Sequence, residues 1–345
     1  MFKRVVALLL AGGLILSATA CSMDNSGTDN TTAVPKEAKS QADTTVDNKD
    51  TTEVEKKVLK VAFSQTDSVG GFKNAETESI RESVTSEGWE LLFTDAQAST
   101  EKQVSDIEDL ISQKPDYLVI APREAEGLAT SLQSAKKAGI PVILVDRLAN
   151  GEPGVDYVTC LQSDCVWEGK AAAEWLVEKL EGKGNIVILE GTPGATSGID
   201  RREGFLDVIS QYPEIKVLAS QTANFMRAEA QSVFENILQA YGDEITAVYA
   251  DNDDMTMGAV QAAKAAGYVP GDDIIFLGVD GTREAVEAIQ SGEIGCIVEC
   301  SARFGPGVVD AIKRLENGET LPTEIQSDDI VFTLDNIEEA LERSY

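Results

Sequence analysis

Asp146 and Arg147 stand side by side at the end of an apolar run, Pro141 to Val145, and the pair has a definite chemistry. A carboxylate accepts hydrogen bonds on two oxygens and a guanidinium donates several in a planar fork, so together they can hold adjacent hydroxyls in one orientation. Asn252, donor and acceptor at once, follows the run Ala247 to Ala250, and Asp280 follows Ile274 to Val279. Phe72 and Phe225 offer aromatic faces that complement the apolar C–H face of a sugar ring. Taken together these residues describe a cleft for a polyol. Taken singly, each has a plainer explanation: Asp-Arg as an ion pair, Asn-Asp as a turn or helix cap, a phenylalanine as core.

Other chemistries find less support. The chain has no histidine, which removes Ser/His/Asp and Cys/His nucleophilic arrangements, the common zinc sites and the most frequent general base. Gly191 to Thr196 is a glycine-containing loop between strand and helix, but no Gly-Lys-Ser/Thr follows and the dinucleotide glycine spacing is missing. Asp251, Asp253 and Asp254 resemble a calcium loop superficially; Thr256 and Ala262 occupy the positions where it needs glycine and glutamate, so helix capping is the better account. Asp146 and Asp280 facing one cleft could in principle cleave a glycoside. Opposite charges on both sides suit the holding of hydroxyls instead, and the chain is read as a non-enzyme without cofactor or metal.

These residues sit at the ends of short buried-strand runs: Leu59 to Phe63, Glu90 to Thr94, Tyr117 to Ile120, Pro141 to Val145, Asn185 to Leu189, Lys216 to Ser220, Ala247 to Ala250 and Ile274 to Val279. Between them lie helical patterns at Glu101 to Gln113, Glu126 to Ala138, Gly169 to Glu181, Ile199 to Gln211, Arg227 to Tyr241, Met255 to Ala266 and Arg283 to Ser291. Continuous apolar strands alternating with helices imply an α/β fold of parallel sheets covered on both faces. Ligands of such sheets bind beyond the carboxyl ends of the strands, where the polar residues stand. A break near Cys160 to Asp164 separates two series, so two similar doubly wound lobes are expected rather than one long sheet. After Gly295 come a strand at Cys296 to Cys300, a helix around Pro306 to Asn317 and a strand at Asp328 to Thr333, a pattern suited to crossing back between lobes.

Lys3 and Arg4 precede an apolar run from Val5 to Leu16, and the small residues Ala18, Thr19 and Ala20 lead into Cys21. The run is shorter than the roughly 20 residues a spanning helix needs, so it reads as an export leader. It resembles a bacterial lipoprotein signal, which makes Cys21 the expected lipidation site. Residues 22–57, rich in Ser, Thr, Asn, Asp, Lys and Glu, cannot bury enough surface to offset their ordering entropy and read as a disordered tether. The expected division is 1–21 leader, 22–57 tether, 58–160 with 300–331 first lobe, and 161–299 with 332–345 second lobe. The chain carries 29 basic and 59 acidic residues, a net charge of −30, which argues against nucleic acid as a partner. Cys160 and Cys165 are close enough to bridge across a short loop or to stay free thiols. Cys296 and Cys300, about 13 Å apart at strand rise, are too far for a local bridge.

The ordered runs Val61-Ala-Phe-Ser-Gln65, Ile120-Ala-Pro122, Val145-Asp-Arg147, Ile199-Asp-Arg-Arg-Glu-Gly-Phe205, Asn252-Asp-Asp-Met255 with Gly258-Ala259, and Gly278-Val-Asp-Gly281 together resemble the ribose/galactose class of periplasmic sugar-binding proteins. Within it they look most like the galactofuranose-binding type of ABC importers. The resemblance covers residues 58–345. It implies two lobes joined by a three-strand hinge, closing over a monosaccharide and presenting the closed form to an ABC permease; the chain is expected to act as a monomer, held by the lipid at Cys21 to the outer face of the cytoplasmic membrane or in the periplasm. It further implies that Phe72 stacks on the sugar with Lys73 beside it. Asp146 and Arg147 bind hydroxyls from the first lobe and Arg201, Asn252 and Asp280 from the second, with Phe225 as the opposing wall. Glu299 falls where the galactofuranose type has glutamate, and Asp95 resembles a further family contact. Phe72 replaces a larger tryptophan of that type and Lys73 an arginine with its planar fork, so ring size or anomer is expected to differ. The same fold serves sensor kinases and cytoplasmic repressors; a repressor needs a basic helix-turn-helix where this chain has a leader and tether, which leaves an extracellular sugar sensor as the alternative.

Overall fold

Short apolar strands such as Val142–Val145 and Ala247–Ala250 are stable only if both faces are covered, and that requirement organises the molecule. The computed structural model describes residues 57–345; the expected leader, Cys21 and the tether up to residue 56 lie outside them. The first series runs β1 (Lys60–Gln65), α1 (Gly71–Ser86), β2 (Glu90–Asp95), α2 (Thr100–Ser112), β3 (Tyr117–Ile120), α3 (Ala129–Ala138), β4 (Val142–Val145) and β5 (Thr159–Gln162). The second runs α4 (Cys165–Lys179), β6 (Lys183–Glu190), α5 (Thr196–Ile209), β7 (Glu214–Thr222), α6 (Arg227–Tyr241), β8 (Ala247–Ala250), α7 (Asp253–Ala266), β9 (Ile275–Asp280), α8 (Arg283–Gln290) and β10 (Cys296–Glu299). The chain then passes through α9 (Gly305–Glu316), β11 (Glu324–Gln326), β12 (Val331–Phe332) and α10 (Ile337–Arg343).

Two six-stranded sheets result, ordered β2-β1-β3-β4-β5-β11 and β7-β6-β8-β9-β10-β12. The orders are the same element for element, so each lobe repeats the other. All ladders are parallel except β10 with β12. In the first lobe, alternate residues face opposite layers: Val61, Phe63, Ile143 and Val145 pack in the core of α1 and α9, while Ala62, Leu118, Ile120 and Leu144 pack against α2 and α3. In the second, Ile186, Ile188 and Tyr249 face α4 and α5, and Val187, Leu189 and Val248 face α6, α7 and α8.

The expected strands and helices are present, with informative differences. β5 overlaps the break expected near Cys160 to Asp164, yet its Thr159-Cys-Leu-Gln162 pairs with β4 and β11. It runs through the boundary expected at residue 160, and Val331, assigned to the first lobe, pairs with Val298 in the second sheet. The strand expected at Asp328 to Thr333 is only the two residues of β12. Three segments cross between the lobes, after β5, β10 and β11. Ser163 in the first bonds to both others, its Oγ lying 3.3 Å from Cys300 Sγ and 2.9 Å from Ser327 Oγ. Cys160, Cys165, Cys296 and Cys300 are all buried free thiols, and burial pushes each thiol up, away from the reactive thiolate. Among the described residues no helix is long and apolar enough to cross a membrane.

Candidate functional site

The carboxyl ends of the two sheets face each other across a small cavity that is partly open to solvent. It is lined by Phe72, Lys73, Asp146 and Arg147 from the first lobe and by Arg201, Phe225, Asn252 and Asp280 from the second. On the first-lobe side β4 ends at Asp146, whose backbone takes a φ of 70°. Lys73 Nζ, from the first turn of α1, lies 2.8 Å from Asp146 Oδ2, and Arg147 Nε lies 2.6 Å from the same oxygen. Lys73 also reaches Glu76 Oε2 at 2.8 Å. Among the described residues no bond is made to Asp146 Oδ1, which leaves it as an acceptor. Burial alone would raise the Asp146 carboxyl, but Arg147 and Lys73 hold it well below the usual range, so it is a carboxylate.

The second-lobe floor depends on close helix packing. A Cβ at Gly169 of α4 would overlap the Arg201 carbonyl, and one at Gly204 of α5 would overlap that of Val166. The two backbones therefore touch, and Phe205 of α5 stacks on Tyr249 of β8 at 4.0 Å. This fixes Arg201 within 2.6 Å of Glu168 Oε2 and 2.6 Å of the Asp251 carbonyl, with its remaining amine 3.5 Å from Asp280 Oδ1. Asn252 Oδ1 accepts from Met255 N at 2.9 Å and so caps α7; its amide nitrogen makes only a long 3.4 Å bond to the Phe225 carbonyl and remains a donor toward the cavity. The capping expected of the acidic run falls to Asn252 instead, since Asp254 accepts from Gly71 N and Arg227 rather than from the first turn of α7; among the described residues no cluster could hold a metal ion. Burial, reinforced by Asp253, raises the Asp280 carboxyl well above its usual range despite Arg201. The cleft thus pairs a carboxylate held charged by two cations on one lobe with a carboxyl that burial biases toward its neutral form on the other.

The lobes meet around this cavity. Gly71 N donates to Asp254 Oδ2 at 3.1 Å, Ala125 N to the Gly194 carbonyl at 3.0 Å and Leu148 N to Thr196 Oγ1 at 3.0 Å. The Arg147 guanidinium sits 5.2 Å from the centre of the Phe225 ring, a cation–π contact from one lobe to the other. Gly70 and Gly71 permit the approach: a Cβ on the first would overlap Asp254 and one on the second Thr282. Asp146, Asn224, Phe225 and Asp280 all have φ between 55° and 114°, and this concentration of unfavourable backbone at one cavity is typical of ligand clamps.

Two expected residues do not reach the cavity. Asp95 ends the edge strand β2 and accepts from Gln97 N at 2.7 Å, so it caps a turn. Glu299 is claimed by Arg343 at 2.7 and 2.8 Å and by Ile330 N at 3.2 Å, which ties α10 to a crossing segment. Conversely, Arg123, Thr192, Asn224 and Asp254 line the cavity without having been assigned to it. Arg123 and Thr192 follow β3 and β6, so the strand-end rule that found Asp146 applied equally to them.

Beneath the floor, Asp251 and Asp253 hold backbone rather than ligand, accepting from Gly191 N and Thr282 N respectively. Each has its Oδ1 buried without a partner. Burial pushes Asp251 up to about 7 and, with Asp254 adding to it, Asp253 to about 6. An acid raised in the folded state binds its proton more tightly there than in the unfolded chain. Its contribution is therefore complete below about pH 4 and is lost as the pH rises toward 7. Thermal melts should show the wild type losing stability between pH 5 and 8, and Asp251→Asn losing less by on the order of a few kcal/mol. Equal losses in both proteins would show that Asp251 does not titrate in this window.

Residues 61–320 match the family model of the periplasmic binding protein domain. The chain belongs to this family. Periplasmic binding proteins of known specificity resemble it over most of their length. It is 35% identical over 289 residues to the galactofuranose-binding protein of Escherichia coli, covering 83% of this chain and 91% of that one. The arabinose transporter's binding protein from Shewanella sp. ANA-3, solved with α- and β-L-arabinofuranose, superposes with a TM-score of 0.79 at 36% identity over 82% of this chain and 94% of that one. A Mycobacterium smegmatis protein solved with β-D-fucofuranose gives a TM-score of 0.79 at 38% identity, covering 83% and 94%. These periplasmic binding proteins bind solutes and are not enzymes, and the two-lobed fold is theirs.

Proposed function

We propose that the chain is the extracytoplasmic receptor of an ABC sugar importer, holding a monosaccharide in its furanose form between the lobes and delivering it to the permease. The observation that carries this reading is the opposition across one cavity of Asp146 and Arg147 to Arg201, Asn252 and Asp280, with Phe72 and Phe225 as walls. Acceptors and donors alternate around the space as the hydroxyls of a small polyol require. Asp146 Oδ1 and the free Arg147 amine would take neighbouring hydroxyls; the Asn252 amide and Asp280 would take others; Phe72 would cover the ring's apolar face. The three relatives named above each bind a five-membered ring, which supports furanose over pyranose. Closure follows from differential contact: a sugar seated on one lobe gains the other lobe's bonds only when the lobes meet, so it shifts the population toward the closed form. Acylation at Cys21 would keep the receptor at the membrane, and Cys21→Ser should release it into the medium or periplasm.

A thermal-shift screen across furanose- and pyranose-forming sugars tests the reading. A ligand at a hundred times its dissociation constant stabilises by about 2.7 kcal/mol, enough to be seen plainly. Silence from every monosaccharide, with a response to nucleosides or other diols, would remove sugar from the assignment.

A further inference from the structure

Tyr345 follows α10 in the second lobe and, among the described residues, is the one whose aromatic ring pairs with that of Phe72. Its backbone is clipped to the loop behind Asp280: Tyr345 N donates to the Gly281 carbonyl at 3.4 Å, and Arg283 N donates to the Tyr345 carbonyl at 2.8 Å. Its hydroxyl donates to the Cys300 carbonyl at 3.0 Å, on the segment that crosses to the first lobe after β10. Its ring meets Phe72 edge to face, with centroids 6.1 Å apart and planes at 77°. Phe72 is carried by α1 of the first lobe, lines the cavity, and has the Lys73 ammonium 5.1 Å from its centroid. One side chain thus links the second-lobe floor, a crossing segment and the first-lobe wall.

We infer that Tyr345 is the positioning residue for the Phe72 wall, setting that ring against the cleft from beside the crossing segments. The inference rests on the proposed role of Phe72 as the face against which the sugar packs. Tyr345 is anchored by its backbone to one lobe and by its hydroxyl to a crossing segment, while Phe72 belongs to the other lobe, so the ring contact is made beside the pivot, where parting of the lobes moves it least. An edge-to-face pair is worth about two- to tenfold in an equilibrium constant. That gain holds Phe72 oriented for the ligand without Tyr345 touching the ligand itself.

The test uses the full chain and two readouts. In the first, L-arabinose and D-galactose are titrated calorimetrically into wild type, Tyr345→Leu, Phe72→Leu and the double variant. Tyr345→Leu should weaken binding about fivefold, Phe72→Leu should weaken it more, and the double variant should bind no worse than Phe72→Leu. Losses that multiply, or an unchanged Kd in Tyr345→Leu, would overturn the inference. In the second, which needs no sugar, fluorine NMR follows the signal of protein carrying 4-fluorophenylalanine at position 72 alone. Tyr345→Leu should shift that signal, and Tyr345→Phe, which keeps the ring and loses only the hydroxyl, should restore it and most of the affinity. A Phe72 signal indifferent to Tyr345→Leu, or a Tyr345→Phe that behaves like Tyr345→Leu, would also overturn it. Should neither sugar bind the wild type, the ligand assignment fails, and the fluorine result still decides whether Tyr345 sets Phe72.

Discussion

Arg201→Ala is expected to lower the unfolding free energy by about 3–5 kcal/mol, the largest stability loss at any cleft residue, because it strands buried carboxyl groups without their cation. Glu168, Asp280 and the Asp251 carbonyl all converge on this guanidinium, and Glu168 already has one carboxylate oxygen buried without a partner. Arg201 is only 3% exposed, so water cannot easily take its place. The acids would respond by binding protons, which makes the loss greater at pH 8 than at pH 5. Denaturant unfolding at both values would measure it, as a fall in midpoint at unchanged slope. A loss under about 1 kcal/mol would mean that the floor is held by packing of α4 on α5 rather than by the ion pair.

Arg147→Ala should do the opposite: spare the fold and remove the ligand. Asp146 keeps Lys73 at 2.8 Å, so its charge stays compensated, and the melting temperature should change little. Three things needed for binding vanish together: a planar donor, the partner that orients Asp146, and the cation that packs on Phe225 across the cleft. We expect affinity for the sugar identified by the screen to fall at least about a hundredfold, close to 2.8 kcal/mol, with Arg147→Lys recovering only part because an ammonium cannot supply the fork. Calorimetric titration of both variants checks this. Binding that survives Arg147→Ala within a few fold would move the sugar site away from the first-lobe strand ends.

Much of this was legible in the residues. β4 and β8 are runs of apolar residues too short to be anything but buried parallel strands, and the polar residues after them stood where such sheets place their ligands. β5 and β11 were not legible, because Thr159, Gln162, Glu324 and Gln326 give them no apolar signature and only their neighbours in the sheet make them strands. At the site, Asp146, Arg147, Asn252 and Asp280 followed from strand ends alone, whereas Arg201 came through resemblance, since nothing in a helical arginine says which carboxylates it will meet. Glu299 misled for the same reason: Arg343 and the Ile330 amide claim it, and both are distant in sequence. The opposite shifts of Asp146 and Asp280 were also out of reach, being set by how many cations surround each once the chain is folded.

Gly70 and Gly71 have a mechanical meaning. Thr282, which Gly71 abuts, is two residues from Asp280, and the Asp280 carbonyl accepts from Cys300 N where the chain crosses between lobes. The contact is thus made at short radius from the pivot, where a small spacer becomes a large angle and every added ångström is multiplied farther out along the jaws. A single methyl group here would act as a doorstop, and the bare backbone of this pair is what lets the jaws shut.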